Sequence, residues 1–68
     1  MVHVKKLRGK MAENGRTGVD MARVIKKTPK TFYEKMKKGV FDSDEIAAIV
    51  EDLNIENPME IFFAEEVT

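Results

Sequence analysis

Apolar residues recur along this chain at spacings of three and four and nowhere alternate for long, so the pattern predicts helices and no sheet. Val4, Leu7 and Met11 form the first stripe, on a helix over Val4–Glu13 that Asn14-Gly15 closes with a pair suited to a left-handed cap. Thr17, with Asp20 three residues later, is a variant capping box for a second helix whose inward face is Met21, Ala22 and Ile25. Thr28 as N-cap and Pro29 at the first helical position open a third helix, because a missing N–H costs nothing there. Phe32 and Met36 face inward on it, and Gly39 stops it.

Val40-Phe41 are expected to anchor the next connection in the core, before Asp42 or Ser43 caps a fourth helix with Glu45 completing a second capping box. Ile46, Ile49, Val50 and Leu53 make its stripe, and Asn54 ends it. Asn57, Pro58 and Glu60 open a fifth helix, on which Met59, Ile61, Phe62 and Phe63 cover more of the circumference than one buried face needs. Residues 65–68 are expected to fray. The whole predicts one compact, all-α, five-helix domain over residues 1–68. A domain of this size buries only about 60% of the surface of its unfolded chain, so association would help it. Ile61, Phe62 and Phe63 are the candidates for a homodimer interface. Val19 and Val24, off the inward stripe of the second helix, suit a protein partner.

Charge changes the picture. The net charge is zero, yet residues 1–39 hold all 12 Lys and Arg against Glu13, Asp20 and Glu34, leaving +9. Residues 40–68 hold nine acids and no cation, giving −9. A basic half of this kind is the electrostatic footprint of a nucleic-acid partner.

Other chemistry is sparse. There is no cysteine, hence no disulfide or thiolate metal site, which suits a reducing bacterial or phage-infected cytoplasm. The chain opens with charge rather than an apolar leader, and no apolar run approaches the roughly 18 residues that cross a bilayer, so no membrane partner is expected. The lone His3 sits in what reads as a mobile terminus, with no partner for catalysis, and no enzyme activity is expected. Asp42, Asp44 and Glu45 lack the length and glycine of a calcium loop, and the methionines sit at core spacing, so no metal or cofactor is expected.

Residues 17–38 are two short helices joined by a turn of about three residues, with the small Ala22 where they cross, which is the pattern of a DNA-binding helix-turn-helix. Opposite Phe32 and Met36 the third helix turns Lys30, Glu34 and Lys37 outward, flanked by Thr31 and Lys38. The chain resembles the small phage regulators of the Cro and lambda-repressor type, the XRE group. The resemblance rests on Leu7-Arg8-Gly9-Lys10-Met11, Asn14-Gly15, Thr17, Met21-Ala22, Thr28, Thr31-Phe32 and Asn57-Pro58 with Glu60-Ile61-Phe62-Phe63. It implies a lambda-repressor-like fold that binds a double-stranded DNA operator as a dimer, with Lys30, Thr31 and Glu34 reading base edges. It places Thr17, Gly18, Lys27, Lys37 and Lys38 on the phosphate path, while Lys5, Lys6 and Lys10 add long-range attraction. The chain departs from the family at Lys26-Lys27, where glycine and an apolar plug are common, and at Gly18, where a polar side chain is usual. The acidic half leaves a second reading open, a modulator that binds a resident repressor protein.

Overall fold

Backbone hydrogen bonds close the first four helices in one way, and this sets their lengths. In the computed structural model, which describes residues 2–63, α1 (Val4–Glu13), α2 (Gly18–Val24), α3 (Pro29–Lys38), α4 (Ser43–Leu53) and α5 (Pro58–Phe62) follow one another. There is no strand among the described residues. Each of α1 to α4 ends where an N–H reaches back five residues: Arg16 to the Met11 carbonyl at 2.8 Å, Lys27 to Ala22 at 2.9 Å, Val40 to Lys35 at 3.0 Å and Ile55 to Val50 at 3.1 Å. The residue before each donor is left-handed, Gly15, Lys26, Gly39 or Asn54, which is the backbone condition for that closure.

The starts are equally local. The Thr17 and Thr28 hydroxyls accept from the N–H groups of Asp20 and Thr31, each at 3.2 Å. Glu45 Oε1 accepts from the Asp42 N–H at 2.8 Å. α5 is the exception, because Asn57 makes no side-chain cap bond and the turn rests on the Glu60 N–H meeting the Asn57 carbonyl at 3.2 Å. His3, expected in a mobile terminus, is instead the N-cap of α1. Its Nδ1 accepts from the Lys6 N–H at 3.3 Å, its own N–H donates to the Ile61 carbonyl at 2.6 Å, and Val2 beside it is buried.

The core gathers two apolar residues from every helix. Leu7, Met21, Phe32, Ile49 and Leu53 have almost no exposure, and Ala22 lies buried on α2, the helix that packs on α3. Phe41 bridges Phe32 and Phe62, with ring centroids 5.8 and 6.1 Å apart. Val40 is exposed, so only half of the expected Val40-Phe41 anchor points inward. Ile61 and Phe62 are buried in the single chain. They therefore cannot form the dimer interface expected of them, whereas Met59 and Phe63 stay 63% and 52% exposed. Ile55, at the closure of α4, is a core residue that the periodicity did not single out. Residues 65–68, where fraying is expected, lie outside the described residues.

The charge separation along the chain becomes contact between its halves. Arg16 donates to both carboxylate oxygens of Asp52, at 3.0 and 3.2 Å. Lys6 lies 3.9 Å from Glu60. Lys35 on α3 reaches Glu45 Oε1 on α4 at 2.9 Å and Asp42 at 3.9 Å. Glu45 is buried, and its Oε2 has no hydrogen-bond partner. Burial opposes its ionisation, but the Asp42 N–H, the bond and charge of Lys35 and the charge of Lys27 outweigh that and hold the carboxyl below its ordinary value. Asp20 is also held low, first by the Thr17 N–H and then by the Thr17 hydroxyl.

A carboxyl whose pKa is lower folded than unfolded contributes fully above its unfolded value, about 4.3 for glutamate, and loses that contribution as pH falls. Urea denaturation is therefore expected to show stability declining as the pH drops below about 5. Glu45→Gln should flatten part of that decline; an unchanged pH dependence would show that the carboxyl is not held low in the folded state.

Candidate nucleic-acid interface

The α2 and α3 helices meet through the connection from Ile25 to Thr28, and its backbone decides how α3 is presented. Ile25 is buried, Lys26 takes φ 59°, and Lys27 donates back to Ala22. Lysine thus occupies the left-handed position that glycine fills without strain, as the departure at Lys26 implied. Thr28 and Pro29 then start α3 in a fresh direction.

On α3 the buried side is Phe32 and Met36, and Lys35 sits at its edge, tied to α4. The opposite side carries Lys30, Glu34, Lys37 and Lys38, all exposed. Lys30 and Glu34 face each other at 4.0 Å, one turn apart, with side chains 86% and 53% exposed. A pair this long and this solvated is worth little and opens easily. Thr31 is partly buried, and its hydroxyl accepts from that of Thr28 at 3.0 Å. Of the three candidate base-reading residues, two lie exposed on one face, paired with each other, and the third stands at its margin.

The candidate phosphate residues divide. Lys27, Lys37 and Lys38 are exposed and form no ion pair among the described residues, and the same holds for Lys5, Arg8, Arg23 and Lys26. Thr17 is exposed, but its hydroxyl and N–H are both engaged by the Asp20 carboxylate, at 3.0 and 2.8 Å. Gly18, expected on the phosphate path, is buried. The end of the Tyr33 ring covers it, and a Cβ built on Gly18 would run into the phenol oxygen and Cζ. Val19 is half exposed, whereas Val24 is partly buried and packs against the core.

Sequence reasoning passed over Tyr33. Its neighbour Phe32 supplied the inward signal, and the Tyr33 ring stands edge-on to Phe32 at 5.7 Å while remaining 45% exposed. The available clue was Gly18 itself, a glycine in the first turn of a helix with no need for a left-handed backbone. No family model, curated protein or solved structure matches the chain.

The strain at Lys26 is testable apart from function. Lys26→Gly is expected to raise stability by about 0.5–1 kcal/mol, the strain relieved less the added freedom of the unfolded chain. Urea midpoints of the two proteins compare them. A midpoint that falls would show that the lysine side chain contributes more in this turn than the glycine backbone would.

Proposed function

We propose that this protein is a sequence-specific DNA-binding transcriptional regulator of the phage-repressor type, working in a bacterial or phage-infected cytoplasm. In this reading α2 and α3 form the helix-turn-helix, and α3 enters the major groove of an operator. The observation that carries it is the pairing of an outward α3 face free of core duties with cations that no described acid neutralises. α3 is ten residues long, about 15 Å of rod, against a groove about 12 Å wide. Lys30 has the donors for guanine O6 and N7, Glu34 can accept from cytosine N4, and the Thr31 methyl can meet that of thymine. Lys27, Lys37 and Lys38 border that face as phosphate contacts, which position the protein without reading sequence.

One observation favours the second reading. Asp44 and Glu51 on α4 and Glu56 after it are exposed and form no ion pair among the described residues, a surface able to attract the basic face of a repressor. DNA from around the protein's own gene separates the two. Operator binding requires a gel shift that weakens linearly in log affinity against log salt. Lys37→Gln with Lys38→Gln should lower that slope by about 1.8, since each phosphate contact contributes about 0.9. Glu34→Gln should leave the slope alone and change the preferred base at one position, with discrimination altered by about 1–3 kcal/mol. No shift at micromolar protein, together with co-purification of a repressor, would put the second reading in its place.

We propose further that the protein acts as a homodimer through the exposed Met59–Phe63 face of α5, since Ile61 and Phe62 are taken by the core. Phe63→Ser is then expected to give a folded monomer by sedimentation, with weaker operator affinity. Loss of folding would assign Phe63 to the core instead.

A further inference from the structure

A cavity of about 330 Å³ opens between the end of α2 and the first turns of α4, lined by Val24, Ile25, Lys26, Asp44, Glu45 and Ala48. That volume lies at the lower end of the range for small-molecule pockets. We infer that the cavity receives an arginine side chain presented by a partner protein, with its stem against Val24 and Ala48 and its guanidinium shared by the carboxylates of Asp44 and Glu45. The site is independent of the DNA-binding reading, and it gives the second reading a defined contact.

An unsatisfied acceptor comes first. Glu45 is only 5% exposed, and its Oε1 takes both the Asp42 N–H and the Lys35 ammonium, at 2.8 and 2.9 Å. Its Oε2 is buried without a hydrogen-bond partner. A carboxylate oxygen in that state bears a desolvation cost that nothing in the chain offsets, and Glu45 bears it at the wall of a cavity. A donor entering the cavity relieves that cost.

The rest of the wall is rich in acceptors. α2 closes through the Lys26 N–H to Arg23 and the Lys27 N–H to Ala22, and the Val24 and Ile25 carbonyls accept no hydrogen bond from a described residue. Asp44 is exposed and forms no ion pair among the described residues. Acceptors beside the apolar Val24, Ile25 and Ala48 select a cation carried on an apolar stem. Of the two cationic side chains arginine fits better, because its planar fork of five N–H donors spans two carboxylates and it is more weakly hydrated than an ammonium.

Three lysines bear on the same place. Lys35 is committed to Glu45 and Asp42. Lys27 is exposed, and its charge reaches Glu45 without an ion pair. Lys26 borders the cavity itself, exposed and without an ion pair among the described residues. Its ammonium opposes an entering cation, so removing that charge should strengthen the site.

NMR titration of the full-length protein, labelled with 15N and 13C, against N-acetyl-arginine methylamide tests this. Saturable movement is expected in the amide resonances of Ile25, Asp44 and Ala48 and in the side-chain carboxyl resonance of Glu45. The citrulline counterpart of the probe, similar in shape but uncharged, should bind about tenfold more weakly. Asp44→Asn should weaken the arginine probe about three- to tenfold, and Lys26→Gln should tighten it about two- to threefold. Ala48→Leu, which fills the cavity from its border, should abolish binding. Equal movement at Glu51 and Glu56 would mean diffuse attraction of a cation by acids and would overturn the site. Saturation that leaves the Glu45 carboxyl resonance unmoved would overturn it too, and a lysine probe that binds as tightly would overturn the assignment to arginine. If Ala48→Leu loses its helices by circular dichroism, Asp44→Asn and the citrulline comparison decide. No DNA is present, so failure here leaves operator binding untouched, and a failed gel shift leaves this site standing.

Discussion

Opposite charge on the two halves of the chain has to be brought together around α4, and much of the remaining architecture follows from how that is done. Isolated surface pairs add little to stability. Here, though, the pairs sit where the helices are oriented: Arg16 with Asp52 at the α1–α2 corner, and Lys35 with Glu45 between α3 and α4. The buried Glu45 is the most demanding of these groups, since it gives up water and leaves Oε2 without a partner. Its return is geometric. One oxygen takes the Asp42 N–H and the Lys35 ammonium together, so the start of α4 and the last turn of α3 share an anchor.

That anchoring also sorts the cations into two groups with different work. Lys6, Arg16 and Lys35 neutralise acids of the second half and hold the fold. Lys26, Lys27, Lys37 and Lys38 form no ion pair among the described residues, and they gather around the α2–α3 connection and the outward side of α3. The net charge of zero conceals this division. An exposed cation without a partner leaves a positive potential in the solvent, while a paired one does not, so the field of the folded protein is concentrated on fewer residues than the sequence lists.

Local signals made most of the fold legible. Caps, left-handed terminators and apolar stripes act within about five residues, and the end of α1, the start of α2 and the bounds of α3 and α4 can be read from Asn14-Gly15, Thr17, Thr28, Pro29, Gly39, Asp42 and Asn54. Contacts between distant segments were not legible. The tether of His3 to Ile61, the burial of Ile55 and the insertion of Tyr33 over Gly18 each depend on which helix passes beside which. The fifth helix shows the limit most clearly. Ile61, Phe62 and Phe63 are adjacent apolar residues on barely more than one turn, and only the positions of Phe41 and the first residues of the chain decide that two go in and one stays out. The outward face of α3 was legible from periodicity; the packing of Tyr33 over Gly18 was not, because its clue is an absent side chain.

The division of labour within α3 bears on how such a chain can change over time. Phe32, Lys35 and Met36 are committed to neighbours, so substitutions there disturb packing or the shared anchor with α4. Lys30, Glu34, Lys37 and Lys38 are exposed, with the Lys30–Glu34 pair their one ion pair among the described residues, and Pro29 and Gly39 stand at the two ends of the helix. Exchange at those outer positions leaves the fold's main constraints untouched. Whatever surface α3 meets, its chemistry can drift one outer residue at a time on a scaffold that stays the same, and a lineage can acquire a new target without passing through an unfolded ancestor.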